Sequence, residues 1–176
     1  MNKKLTGKTR RDSLLNWLKA SAKPLTGTEL AAKAQVSRQV IVQDISLLKA
    51  QNHPIIATSS GYLYMKLEDE EKEVRRVIAC QHGSSRTREE LYTIVDYGVT
   101  VEDVIIEHPI YGDLKASLML SNRADVDQFV QKIEEKQAPY LLELTEGIHN
   151  HTIAAKDETK LDQAFEALVN KGFIVE

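Results

Sequence analysis

Val36-Ser37-Arg38-Gln39-Val40-Ile41-Val42-Gln43-Asp44-Ile45-Ser46-Leu47-Leu48 reads as one helix with two unlike faces. Ser37 is a natural N-cap, because its hydroxyl can accept from backbone N–H groups that the first turn leaves unpaired. Ile41, Ile45 and Leu48 recur at i, i+4 and i+7, which predicts a buried stripe. Arg38, Gln39 and Gln43 fall on the other face, where such side chains donate to base edges or phosphates. Upstream, Thr26-Gly27-Thr28-Glu29 has the form of a capping box. It precedes a short helix, Leu30-Ala31-Ala32-Lys33-Ala34, whose alanines let another helix cross closely. Before that, Leu14, Leu15 and Leu18, with Trp17 beside them, recur at helical spacing and end near Pro24. A basic arm of Lys3, Lys4, Lys8, Arg10 and Arg11 leads into them.

Downstream, Asn52 suits a left-handed helix cap and His53-Pro54 forces an extended exit. Ile55-Ile56-Ala57-Thr58 and Tyr62-Leu63-Tyr64-Met65 are strand-like runs around the hairpin turn Ser59-Ser60-Gly61. Three helices and a β-ribbon predict a winged helix-turn-helix over residues 1–66.

Charge separates this head from the rest of the chain. Residues 1–66 hold 11 Lys and Arg against 3 Asp and Glu, a balance of +8. The remainder holds 12 against 23, a balance of −11, and the two give the overall −3. A basic head with an exposed Arg/Gln face supplies both the phosphate attraction and the base-reading groups that DNA binding needs. A three-helix module for protein contacts is the rival reading, and it leaves the arm and that face without a role.

A length of 176 residues allows one large domain or two small ones. Hydrophobic content of 42% with 28% charged residues predicts an ordinary globular core. No apolar run approaches the roughly 20 residues of a membrane span, and no apolar segment follows the basic start as in a secretory signal. The single Cys80 rules out an intrachain disulfide and suits a reducing compartment, so a cytoplasmic protein without membrane contact is expected. Lys66-Leu67-Glu68-Asp69-Glu70-Glu71-Lys72-Glu73 marks the boundary, with the second domain over residues 72–176.

In that body the pattern alternates. Val74 to Ala79 predicts a strand, Thr87 to Tyr97 a helix closed by Gly98, and Val101 to Glu107 and Leu114 to Leu120 two strands. Val126 to Lys136 predicts a helix, Tyr140 to Leu144 and His149 to Ala154 strands, Leu161 to Asn170 a helix and Phe173 to Val175 a last strand. The order β-α-β-β-α-β-α-β predicts an α+β fold, a ferredoxin-like sandwich with a C-terminal extension.

Four of the five histidines lie in this body, two of them as His149-Asn150-His151. On a strand, residues i and i+2 share a face about 6–7 Å apart, so two imidazoles can converge on one ion. His82 ends the first strand and Glu90 sits one turn into the helix that follows. Imidazoles with a carboxylate suit Zn²⁺, Ni²⁺ or Fe²⁺. Each residue has an ordinary alternative. Glu90 can complete a capping box with Thr87. Cys80 can be a buried strand thiol, and His108, before Pro109, can be a structural hydrogen-bonder as readily as a ligand.

The run Val36 to Ile45, with Pro54-Ile55-Ile56 and Gly61-Tyr62, resembles the winged helices of biotin-repressor-type regulators. Gln81-His82-Gly83, Glu90-Leu91, Ile106 to Gly112, and Glu146 to Ile153 resemble the three-histidine (3H) domain. In this domain order the whole chain is similar to the niacin-responsive transcription repressors of bacteria. The resemblance implies a homodimeric repressor of genes for NAD-precursor synthesis or salvage, with operator DNA as partner and nicotinic acid as co-repressor. It implies one divalent transition metal ion per subunit, on His82, Glu90, His149 and His151. DNA contacts then fall on Ser37, Arg38, Gln39 and Gln43.

Nicotinate needs an electron-pair acceptor for its ring nitrogen and a cation for its carboxylate, so Arg86 and Arg88 near the expected metal are candidate effector residues, with His108. The runner-up is an enzyme, a metal-dependent small-molecule hydrolase fused to a DNA-binding head, for which Glu107 or Glu146 would serve as base. A third reading has the metal purely structural or itself the signal.

Overall fold

The computed structural model describes residues 6–65 and 73–175. Lys3 and Lys4 of the basic arm, and residues 66–72 of the expected boundary, lie outside them. The chain divides into two compact units, Met1–Asp69 and Glu70–Glu176.

In the first unit α1 (Gly7–Ala20), α2 (Gly27–Ala34) and α3 (Arg38–Ala50) precede a hairpin of β1 (Ile55–Thr58) and β2 (Gly61–Tyr64). Leu14, Leu18, Leu30, Ile41, Ile45, Leu48 and Ile55 form its buried core. The apolar stripe of α3 therefore buries as its spacing predicts. The capping box forms at α2: Thr26 Oγ1 accepts from the Glu29 N–H at 3.1 Å and the Thr26 N–H donates to Glu29 Oε2 at 2.7 Å. Asn52 is left-handed at φ 64. Leu25 adds a bridge to Tyr62, which brings backbone so close to Gly61 that a Cβ there would meet the Leu25 carbonyl oxygen at 2.6 Å. With φ at +138, only glycine serves that turn.

The second unit runs β3 (Val74–Gln81), α4 (Thr87–Val95), β4 (Thr100–His108), β5 (Gly112–Leu120), α5 (Arg123–Lys136), β6 (Ile148–Ala155) and α6 (Glu158–Asn170). All neighbouring strands pair antiparallel, in the order β3-β6-β4-β5. β6 thus fills the gap between the parallel β3 and β4, and β4 fills the gap between β5 and β6. These are two interlocked split βαβ units. Leu91 and Ile94 of α4, Val126 and Val130 of α5, and Leu161 and Leu168 of α6 join Ile78, Val101, Leu120 and Ile153 in one core, so the helices cover one face of the sheet.

Two expected strands are otherwise. Leu141–Thr145 is a 3-10 helix: Pro139 precedes it, the Tyr140 N–H is held by Glu143 Oε1 at 3.3 Å, and Glu146 closes it at φ 52. Its apolar residues do not alternate, and this turn chemistry outweighs their strand propensity. At the C-terminus only Ile174 forms a bridge, to Cys80.

Candidate metal centre and nucleic-acid interface

In the first unit Ser37 caps α3, its Oγ accepting from the Val40 N–H at 3.4 Å. Arg38, Gln39 and Gln43 are all exposed on that helix. Asp44 is the contrast, because it is only 2% exposed in the same helix. Arg10 of α1 binds it through Nε and Nη2, and Arg11 Nη1 stands 3.4 Å away. These two arginines of the expected phosphate-binding arm therefore hold α1 against α3. Nothing in the sequence spacing pairs residue 10 with residue 44, so the reading of Arg10 and Arg11 as free arm charges missed this.

In the second unit four side chains meet. His149 and His151 alternate along β6 with Ile153, all three facing inward and buried. Cys80 of β3 lies directly across from His149 and Ile78 across from His151. His82 follows the end of β3, and Glu90 reaches down from the first turn of α4. Glu90 is fully buried. Its Oε2 stands 2.8 Å from His82 Nε2 and 3.5 Å from His151 Nε2, and its Oε1 stands 3.1 Å from His149 Nε2.

The other nitrogen of each ring is tied to the backbone. His82 Nδ1 donates to the Gly83 carbonyl at 2.9 Å, His149 Nδ1 to the Gly147 carbonyl at 2.9 Å, and His151 Nδ1 to the Asp103 carbonyl at 2.6 Å. A carbonyl can only accept, so each Nδ1 carries its hydrogen, and each ring when neutral turns an Nε2 lone pair toward Glu90. Three lone pairs facing a carboxylate in a buried site repel unless protons or a cation sit between them. Accordingly His82 Nε2, His151 Nε2 and Glu90 Oε2 are buried with no hydrogen-bond partner. Around an ion held at about 2.1 Å, neighbouring donors lie about 3.0 Å apart in an octahedron and about 3.4 Å apart in a tetrahedron. The Glu90–imidazole spacings straddle those values, while the three donor atoms that all lie within 4.8 Å of one another among the described residues are those of Cys80, Glu90 and His149. Backbone carbonyls on the far ring nitrogens are the usual support of ligating histidines. The donor set fits a divalent transition metal ion.

Electrostatics agree. Burial works against the charge of Glu90, but the nearby imidazoles outweigh it and hold the carboxyl well below its usual range. His82 and His151 rise despite burial, because Glu90 faces both. Burial, reinforced by Glu90, pushes the Cys80 thiol up, so it is a neutral neighbour. Its sulfur and donor atoms of Glu90 and His149 all lie within 4.8 Å of one another.

Glu90 does not make the capping box that Thr87-x-x-Glu90 offers. Arg86 is the N-cap of α4, no side chain caps it, and Thr87 Oγ1 is without a partner. Gly147 is a supporting residue that the histidine pattern alone does not reveal. A Cβ there would lie 2.3 Å from the His82 carbonyl oxygen, so glycine lets β6 start against His82. Asp103 is another: its carbonyl orients His151 while its carboxylate accepts from the Thr152 N–H at 2.9 Å.

A cavity of about 160 Å³ adjoins the cluster. Thr87, Glu90, His149 and His151 line one part, and apolar residues of α4, β4, β5, α5 and residues 139–142 line the rest, Phe129 and Tyr140 among them. Arg86, Arg88 and His108 do not line it. Arg86 pairs with Glu89, donates to the Lys171 carbonyl and lies 4.1 Å over the Phe173 ring. Arg88 stands 3.3 Å from Asp127. His108 Nδ1 accepts from the Ile110 and Tyr111 N–H groups, which makes it a support of the β4–β5 turn. Arg86 stands at the N-cap of α4 and His108 at the end of β4, outside the cavity lining.

Comparison with known proteins identifies two families along the chain. Residues 75–176 match the 3H domain and residues 10–63 an HTH domain. The chain belongs to the 3H-domain transcription repressors. It is 57% identical over 173 residues to the transcription repressor NadR of Bacillus subtilis (strain 168), covering 98% of this chain and 96% of that protein. It is 37% identical over 176 residues to the probable transcription repressor NiaR of Thermotoga maritima, covering 100% of this chain and 99% of that protein.

This 3H-domain protein is thus a DNA-binding transcription repressor and not an enzyme. Glu107 and Glu146, the bases weighed for a hydrolase, do not line the cavity, whose one acidic residue is Glu90. Among the described residues no helix is long and apolar enough to cross a membrane.

Proposed function

We propose that this repressor acts as a homodimer on operator DNA of NAD-precursor genes, with nicotinic acid as co-repressor and a divalent metal ion on His82, Glu90, His149 and His151. What supports the reading is one observation above all. Three imidazole Nε2 atoms, each with its Nδ1 committed to a carbonyl, converge on a buried carboxylate beside an apolar cavity sized for a single ring. When bound, the ion supplies a Lewis-acidic position that a pyridine nitrogen or a carboxylate can fill.

The chain's own residues set the selectivity. Glu90 alone neutralises one charge of a divalent ion and leaves about +1 in a cavity with no arginine or lysine in its lining. An anionic effector cancels that charge, and a neutral one leaves it uncompensated in apolar surroundings. Nicotinate therefore binds far better than nicotinamide without help from Arg86 or Arg88. Apolar side chains and the Phe129 and Tyr140 rings pack the pyridine faces.

On the DNA side Arg38, Gln39 and Gln43 enter the major groove behind the capped start of α3, and a dimer reads two half-sites. A co-repressor must favour the DNA-competent form, so by linkage operator DNA raises nicotinate affinity by the same factor. Operator affinity measured with and without nicotinate, in metal-loaded and chelated protein, tests all of this together. The proposal expects tight binding only with both present. Equal operator affinity in all four conditions refutes it.

A further inference from the structure

We infer that the Thr87 hydroxyl is a recognition group for the effector's carboxylate, an inference that rests on the nicotinate reading above. Thr87 is the first residue of α4, 5% exposed, and lines the cavity beside Glu90, His149 and His151. Its Oγ1 is buried and makes no hydrogen bond to any protein group. A threonine at this position ordinarily caps the helix or bonds back to the preceding turn, and this one does neither.

Leaving a buried hydroxyl unpaired is unfavourable, and such groups in native proteins call for a partner that the polypeptide does not supply. Among the described residues the other unpartnered buried side-chain polar atoms, His82 Nε2, His151 Nε2 and Glu90 Oε2, all belong to the proposed metal site. Thr87 is three residues before Glu90 on α4, so the two side chains share a helix face. Thr87 thus stands on the cavity wall beside the residues that would hold the ion, with its hydroxyl free to donate. It also sits at the positive end of a nine-residue helix whose N-cap residue, Arg86, makes no side-chain cap.

An anionic ring ligand meets complementary chemistry on this wall: an ion, an O–H donor and a helix N-terminus. The acceptor is a carboxylate oxygen, to which Thr87 Oγ1–H donates. A carboxamide would accept the same bond without the charge assistance.

The test uses full-length metal-loaded wild type, Thr87→Val and Thr87→Ser, titrated calorimetrically with nicotinate. Valine keeps the shape and removes the hydroxyl, and serine keeps the hydroxyl. Thr87→Val should retain one ion per chain, melt no lower than wild type and bind nicotinate about 10–100-fold more weakly, the range for a hydrogen bond to a charged group. Thr87→Ser should stay within a few-fold of wild type. Nicotinate binding by Thr87→Val at wild-type affinity overturns the assignment and leaves the effector reading intact. A wild type that holds its ion yet gives no binding with nicotinate overturns both.

Discussion

Asp103→Ala separates scaffold from metal centre in a single substitution. From Val101 to Ile105, β4 advances four residues against the three from Ile153 to Asn150 of β6, and Asp103 sits in that bulge. Its carboxylate takes the Thr152 N–H at 2.9 Å in place of a ladder carbonyl, which frees its own carbonyl for His151 Nδ1 at 2.6 Å. Lys115 Nζ lies 2.7 Å from the same carboxylate but is 57% exposed, so that pair adds little. Alanine leaves the half-buried Thr152 N–H without its acceptor, which costs about 1–3 kcal/mol. If the bulge relaxes, the carbonyl that orients His151 moves, and losing such a support weakens metal binding about 10–100-fold. Asp103→Asn keeps an oxygen for the Thr152 N–H and should stay within about 1 kcal/mol of wild type. Urea unfolding of metal-free protein reads the first effect, and competition with a chromophoric chelator reads the second. Undiminished metal affinity in an alanine variant that has lost stability would show that the bulge does not orient His151. Unchanged stability would refute the hydrogen-bond argument itself.

Three further outcomes follow from the same geometry. Arg38→Ala or Gln43→Ala should cost about 1–3 kcal/mol on operator DNA and little on random DNA; equal losses on both, by fluorescence anisotropy, would show that these side chains do not read sequence. Purified protein should carry about one divalent ion per chain by elemental analysis, and His149→Ala and His151→Ala should each release it; full occupancy of the double variant would place the ion elsewhere. The pH dependence of stability should reverse with metal. In metal-free protein Glu90 lies below its ordinary 4.5 and contributes above that value, a contribution lost as pH falls through its lowered pKa. His82 and His151 lie above their ordinary 6.5 and contribute below it, and that contribution is lost as pH rises through their raised values. These three groups therefore stabilise metal-free protein most between about 4.5 and 6.5. Metal-loaded protein should instead gain from 6 to 8, because ligating imidazoles must be unprotonated. Parallel melting curves across pH for the two forms would contradict the cluster.

Much of the first unit was legible because its signals are local. A capping box, an N-cap serine and an i, i+4, i+7 stripe each operate within one or two helical turns, and all three appear where the residues put them. The His149-x-His151 pair was legible for the same reason, since strand alternation sends both rings to one face. Glu90 was ambiguous in sequence because a capping box and a ligand write the same Thr-x-x-Glu. Only the packing of α4 over β3 and β6 turns its carboxylate onto three imidazoles.

What the chain determined by itself was a basic winged helix-turn-helix, an α+β body and a set of metal-ligand residue types, since charge, periodicity and caps are short-range properties. What tertiary structure alone decided was the pairing of elements far apart in sequence. It placed β6 between β3 and β4, which sets Cys80 opposite His149. It spent Arg10 and Arg11 on the buried Asp44 and turned Arg86, Arg88 and His108 away from the cavity. It bulged β4 so that Asp103 could hold His151. These are long-range outcomes of filling one core at native density while satisfying each buried polar group, and no window of neighbouring residues contains that information.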